Sequence, residues 1–355
     1  MSATAVDMSK LEQFVGRVVG DLGSTASAAL VALGDRLGLW KAMADGERVT
    51  PGALAKKAKI DERYAREWLH AQAAGGYAVY DAKDGTFHLT PEQAFALGTE
   101  GGPASVAGAF YVMRAMWSRL DEMEQNFRTG EGIPWGKQHP CLFEGTERFF
   151  KSGYVANLMS AWIPALDGVQ KKLEAGARVA DVGCGLGAST ILMAKAFPKS
   201  RFFGFDYHDG SIEGAKQRAK EAGVADRVQF AVAKSTDYPG KDYDLVACFD
   251  CLHDMEDPNG AAKHVRSTLA ADGTWMIVEP FAEDRPEANH NPVGRLFYSA
   301  STLLCVPHSL SQHGPALGAQ AGESRLRSVV VEGGGFTRFR RATQTPFNMI
   351  LEARP

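Results

Sequence analysis

The sequence predicts an α/β protein, with a mostly parallel sheet covered by helices on both faces and a smaller helical region ahead of it. Three observations lead there. From Ala177 onward, short apolar runs alternate with segments of helical spacing. The first of those runs ends in a glycine-rich turn, within Arg178–Thr190 (RVADVGCGLGAST). The first hundred residues read instead as helices followed by a short hairpin. At 355 residues, with 45% hydrophobic and 23% charged residues, the chain is long enough for two domains and shows no signature of disorder.

Residues 10–45 have helical character, with Ser24 and Thr25 as expected N-caps of an Ala/Leu-rich helix running to Leu37 and Trp40, buried against other protein. Thr50-Pro51 opens a further helix, and Asp61 caps another that Gly75 and Gly76 stop. Two alternating runs, Tyr77–Tyr80 and Thr86–Leu89, are joined through Asp84-Gly85, a hairpin signal. Three helices and a hairpin make a winged helix-turn-helix. Between Glu47 and Thr90, seven Lys/Arg face six Asp/Glu, and the recognition helix opens on Asp61-Glu62, which repels phosphate. A dimerisation and substrate-covering role is expected there, not nucleic-acid binding.

Residues 99–176 read as a helical connector. Phe110, Tyr111, Met113, Met116, Trp117, Leu120 and Met123 recur at helical spacing, and Tyr154, Met159 and Trp162 repeat the theme. Gly130–Gly145 reads as an irregular loop. Strands are predicted at Arg178–Val182, Arg201–Phe205, Val228–Val232, Asp244–Phe249 and Thr274–Val278. Helices are predicted at Ala188–Phe197, Ser211–Ala222, Pro258–Leu269 and Glu323–Val331, and a last strand pair near Phe336–Arg341 and Phe347–Glu352.

In the glycine turn, Gly183, Gly185 and Gly187 let a ligand approach the backbone. Asp181, two residues before the first glycine, suits a sulfonium or ammonium better than a pyrophosphate. The motif resembles the first motif of class I S-adenosylmethionine (SAM)-dependent methyltransferases. The second strand ends in Asp206, where a ribose diol needs a bidentate acceptor. Tyr207 and His208 follow it and are expected to pack on the adenine ring. The resemblance places an adenine contact at Lys234, whose side chain donates only, so that Ser235, Thr236 or a backbone carbonyl must accept. Cys184 packs in the turn, and Phe249 and Asp250, at a strand end, are expected near the methionine part of SAM.

Asp250 is followed by Cys251-Leu252-His253-Asp254. This segment resembles the one bearing the general-base histidine of plant-type small-molecule O-methyltransferases, which share the winged-helix dimerisation domain. Actinobacterial winged-helix methyltransferases of small molecules are a second likeness. The resemblance implies His253 as base, Glu279 as its flanking carboxylate and S-adenosylhomocysteine as the cofactor product. It implies a second carboxylate in the later helical region, where Glu323 is slightly out of register. Histidine suits a hydroxyl acceptor because its unperturbed pKa lies near 6.5.

The resulting expectation is a homodimeric SAM-dependent methyltransferase of a small, partly apolar acceptor, most naturally at oxygen. Its segments are 1–98 (winged-helix dimerisation domain), 99–176 (connector) and 177–355 (SAM-binding core with a seven-stranded sheet of Rossmann-like topology). Phe110, Met113, Trp117, Tyr154, Met159, Trp162, Phe281, Phe297 and His308 are expected to line the acceptor pocket. N-, S- or C-methylation without a base, or a SAM-sensing DNA-binding regulator, are the alternatives. Cys248, Cys251 and His253 form C-x-x-C-x-H without a second ligand pair, so no metal is expected. Five cysteines without a framework, no signal-peptide pattern and no long apolar run lead to the expectation of a cytoplasmic protein without a membrane span.

Overall fold

The architecture, taken from a computed structural model that describes residues 6–355, falls into two units. One comprises Met1–Arg114 with Glu144–Ser152, the other Ala115–Phe143 with Gly153–Pro355.

The first unit opens with one helix, Met8–Arg36, capped by the Asp7 side chain on the amides of Ser9 and Lys10. Ser24 and Thr25, expected as N-caps, sit inside it. Their hydroxyls donate to the carbonyls of Gly20 and Asp21 at 3.0 and 2.8 Å, the back-bonding by which such residues are tolerated in helix interiors. The burial expected of this helix is confined to its last third, at Val31 and Gly34. Leu11, Phe14, Val15, Val18, Val19 and Leu22 are exposed.

Thr50 caps Pro51–Ala58 and Asp61 caps Glu62–Ala74, both as expected from the sequence. The antiparallel strands β1 (Val79–Asp81) and β2 (Thr86–His88) complete the winged helix. Its core is built on Trp40 and Trp68, with ring centroids 4.6 Å apart. Their indole N–H groups donate to the carbonyls of Val31 and Leu30, so both rings are buried without an unpaired donor. Asp35 accepts two hydrogen bonds from Arg148 and one from the Tyr111 hydroxyl, tying the first helix to residues far along the chain.

In the second unit seven strands form one sheet. In chain order they are β3 (Arg178–Val182), β4 (Arg201–Asp206), β5 (Val228–Val232), β6 (Tyr243–Phe249), β7 (Leu269–Pro280), β8 (Arg338–Gln344) and β9 (Asn348–Arg354). Their spatial order is β5-β4-β3-β6-β7-β9-β8, with β9 antiparallel to both neighbours and the rest parallel. Val179, Ala180, Val246, Ala247, Ile277 and Val278 are fully buried, which is why these strands read as continuous apolar runs without alternation.

Chain order runs outward to β4 and β5 on one side of β3, and returns through β6 on the other. The carboxyl ends of β3 and β6 therefore flank the switch point where open α/β sheets form a crevice. The predicted loop at Gly130–Gly145 contains a short turn, Trp135–Lys137, and the start of the helix Cys141–Asn157. No helix among the described residues is long and apolar enough to cross a membrane.

Candidate active site

The turn after β3 is fixed by its glycines. Gly183, Gly185 and Gly187 have φ of +76°, +51° and +80°, a region that residues with a Cβ rarely adopt. A Cβ at Gly187 would meet the Phe230 ring at 2.7 Å, whereas one at Gly185 would meet nothing within 4 Å. Packing thus demands glycine at 187, while Gly185 keeps backbone bare beside open space. Asp206, at the end of β4, accepts from the Gly185 amide through Oδ2 and from the His208 amide through Oδ1, both at 2.9 Å. Burial holds its carboxyl above the usual range.

Asp181 lies beneath the turn and is 0% exposed. Its Oδ2 accepts from the hydroxyls of Ser189 and Thr190 at 2.6 Å each, while Oδ1 has no hydrogen-bond partner among the described residues. Burial raises its pKa to about 6. Through Oδ2 it ties the turn to the start of the helix Ala188–Ala196. Cys184 is buried in the same turn.

His208 caps the helix Asp209–Glu221 through Nδ1, and its ring stacks on Phe143 with centroids 4.7 Å apart. Tyr207 stacks on His308 at 5.9 Å. Lys234 pairs with Glu256 at 3.3 Å and gives its amide to Asp237; Ser235, beside it, is partly buried.

Beyond β6, Asp250 adopts φ +53°, a region that aspartate enters more readily than most residues other than glycine, and its neighbours hold it there. Those neighbours are Tyr154, whose hydroxyl donates to Oδ2 at 2.9 Å, and Asn348, whose amide donates to Oδ1 at 2.7 Å. Burial, and then Glu279, lift the Asp250 carboxyl well above the carboxylate range. Phe249, just before, packs on Tyr154 at 5.1 Å.

After Cys251 comes a tight turn, Leu252–Asp254. Within it His253, 3% exposed, meets Glu279, 1% exposed, at the end of β7. His253 Nδ1 lies 2.5 Å from Glu279 Oε2, and Glu279 Oε1 accepts from the Leu252 amide at 2.8 Å. One carboxylate therefore fixes both the ring and the backbone that carries it. Burial by itself pulls the His253 pKa down, but the Glu279 charge and the Cys305 thiol offset this and leave it well above the ordinary imidazole value. Glu323 is occupied elsewhere, by Arg341 at 2.7 Å. Cys248 accepts from the Trp275 indole and Cys251 donates to the Val182 carbonyl.

Of the expected pocket residues, the second unit holds Tyr154, Met159, Trp162, Phe281, Phe297 and His308, all buried or partly buried. Trp117, the last residue of the helix Ala109–Trp117, is 62% exposed. Phe110 belongs to the first unit, packed on Tyr77, and Met113 lies in that unit too. Sequence reasoning missed Asn348, Cys305 and Phe143. Asn348 lies 98 positions from the aspartate it holds, a separation with no local signal.

The sheet order, the antiparallel last pair and the glycine turn at the switch point define the fold of class I methyltransferases. Residues 173–314 match the family model of a methyltransferase domain, and residues 25–99 that of an Rv2258c-like winged HTH domain. The chain therefore carries a methyltransferase domain behind a winged-helix domain. Mitomycin 7-O-methyltransferase superposes with a TM-score of 0.71 at 18% identity, covering 98% of this chain and all of that one. Human N-acetylserotonin methyltransferase, solved with SAM, gives 0.69 at 15%, covering 100% and 99%. In sequence, the sterol 24-C-methyltransferase of Aspergillus fumigatus is 22% identical over 258 residues, 67% of this chain and 65% of that protein. The chain spans less than two thirds of the length of the curated relatives it matches.

Proposed function

We propose that this protein transfers a methyl group from SAM to a hydroxyl of a small, partly apolar acceptor, with His253 as general base. The observation that carries this reading is the buried His253–Glu279 pair, set where β6 and β7 end.

The residues present fit the cofactor. Bare backbone at Gly185, the Asp206 carboxylate hydrogen-bonded to that backbone, and the orphaned Asp181 oxygen form an anionic cradle open on one side. Gly183, Cys184, Gly185 and Gly187 would receive the ligand along the turn, Asp206 the ribose, Tyr207, His208 and Ser235 the adenine, and Phe249 and Asp250 the methionine part. Lys234 contributes backbone, since its ammonium is paired with Glu256. SAM, when bound, supplies a methyl group activated by its sulfonium.

The chain's own task is alignment and proton removal. Glu279 accepts a hydrogen bond from Nδ1–H, so that in the neutral ring, a form favoured by raising the pH, Nε2 is the atom that takes the acceptor's proton. The same carboxylate stabilises the imidazolium that results. Tyr154, Met159, Phe281, Phe297 and His308 are the candidate acceptor contacts. In the winged helix, Arg48, Lys57, Arg63 and Arg66 are each paired with an acid of the same unit, which favours a scaffolding role over phosphate binding. The exposed apolar row on the helix Met8–Arg36 favours a homodimer formed through it.

His253→Ala is expected to lower turnover by roughly 10²–10⁴-fold with SAM affinity nearly unchanged. Steady-state rates beside calorimetric binding check this, and a variant as active as wild type would remove the base role.

A further inference from the structure

We propose that His253, Asp254 and Cys305 form a binding site for a zinc-class divalent cation. Each brings one ligand-type atom, and these atoms lie within 4.8 Å of one another. Two come from the tight turn Leu252–Asp254, and the third ends the widened helical turn Ser301–Cys305. This set shares only His253 with the C-x-x-C-x-H spacing in the sequence and takes in neither Cys248 nor Cys251.

The chemistry of the set is specific. Imidazole nitrogen, carboxylate oxygen and thiolate sulfur together suit a borderline-soft cation such as Zn²⁺, and suit Mg²⁺ or Ca²⁺ poorly. Glu279 holds His253 Nδ1 at 2.5 Å, which leaves Nε2 as the ligand atom. That is the carboxylate–histidine–metal arrangement that fixes tautomer and ring orientation in metal sites. His253 is buried while Asp254 and Cys305 are partly exposed, so an ion has a route from solvent. Binding replaces the Cys305 thiol proton, which leaves to solvent. The two anionic ligands then balance the double positive charge. Three protein ligands leave a fourth position for water.

The site has a consequence that rests on the proposed function: with Nε2 bound to metal, His253 has no lone pair for the acceptor's proton, so zinc inhibits methyl transfer.

The test is Co²⁺ titration of the full-length protein after chelator treatment, without SAM. A thiolate-to-cobalt absorption saturating at one equivalent is expected, displaced by Zn²⁺ and absent in Cys305→Ser. Asp254→Asn should weaken Co²⁺ binding tenfold or more, while Cys141→Ser, at another partly exposed thiol, should keep it. Thermal melts establish that each variant folds. No absorption in the wild type, or absorption that survives in Cys305→Ser, overturns the site. If cobalt binds as described and an equivalent of zinc leaves methyl transfer intact, the site stands and the base assignment of His253 falls.

Discussion

The surface of the winged helix and the carboxyl rim of the sheet treat charge in different ways. In the first, Arg63–Glu67, Arg66–Glu62 and Lys57–Asp45 are solvent-exposed pairs, the kind that contributes little to stability and is screened by salt. At the rim, Asp181, Glu279 and His253 are withdrawn from water, with Asp206 and Asp250 partly so. Carboxylates are costly to desolvate, and a unit built only for stability would place apolar side chains there. Asp250 has its left-handed backbone at this rim, pinned by Tyr154 and Asn348.

The comparison sharpens first at the glycine turn. Gly187→Ala combines a disfavoured φ with a clash against Phe230, and should destabilise the fold by roughly 2–5 kcal/mol. Gly185→Ala should cost only about 1–2 kcal/mol of backbone strain, because its Cβ points into open space. Its larger effect should be on cofactor affinity. Thermal denaturation beside ligand titration separates the two; equal stability losses would contradict the distinction between packing and access.

Asp181 sets the next test. Its folded pKa, about 6, lies above the unfolded value near 3.8, so its contribution to stability is fully present below about pH 4 and lost as pH rises through about 6. Asp181→Asn should lack that fall, which denaturation across a pH series would reveal as a wild-type-minus-variant difference that changes across this window and is constant on either side of it. A difference independent of pH would contradict the assignment.

The smallest effect on the fold belongs to the first unit. Val18→Asp with Leu22→Asp should leave the far-UV dichroism unchanged, because both side chains are exposed. Light scattering should report half the wild-type particle mass. An unchanged mass would remove the dimer from this face.

Much of this was legible in the sequence where the signal is local. The Asp84-Gly85 turn, the Thr50 and Asp61 caps, the apolar strands and the aspartate ending β4 are each written within a few residues. Ser24 misled because a hydroxyl that caps a helix also bonds back inside one. The Asp250–Asn348 tie and the meeting of His253 with Cys305 depend on residues far apart in the chain, brought together only by the sheet order and the helix that follows it.

The most direct test of the central claim, that the rim at the glycine turn is a SAM site, is calorimetric titration with S-adenosylhomocysteine beside an Asp206→Ala control. Micromolar binding that the substitution weakens tenfold or more, about 1.4 kcal/mol, is the predicted result. Absence of binding to the wild-type protein, or binding that Asp206→Ala leaves unchanged, would contradict it.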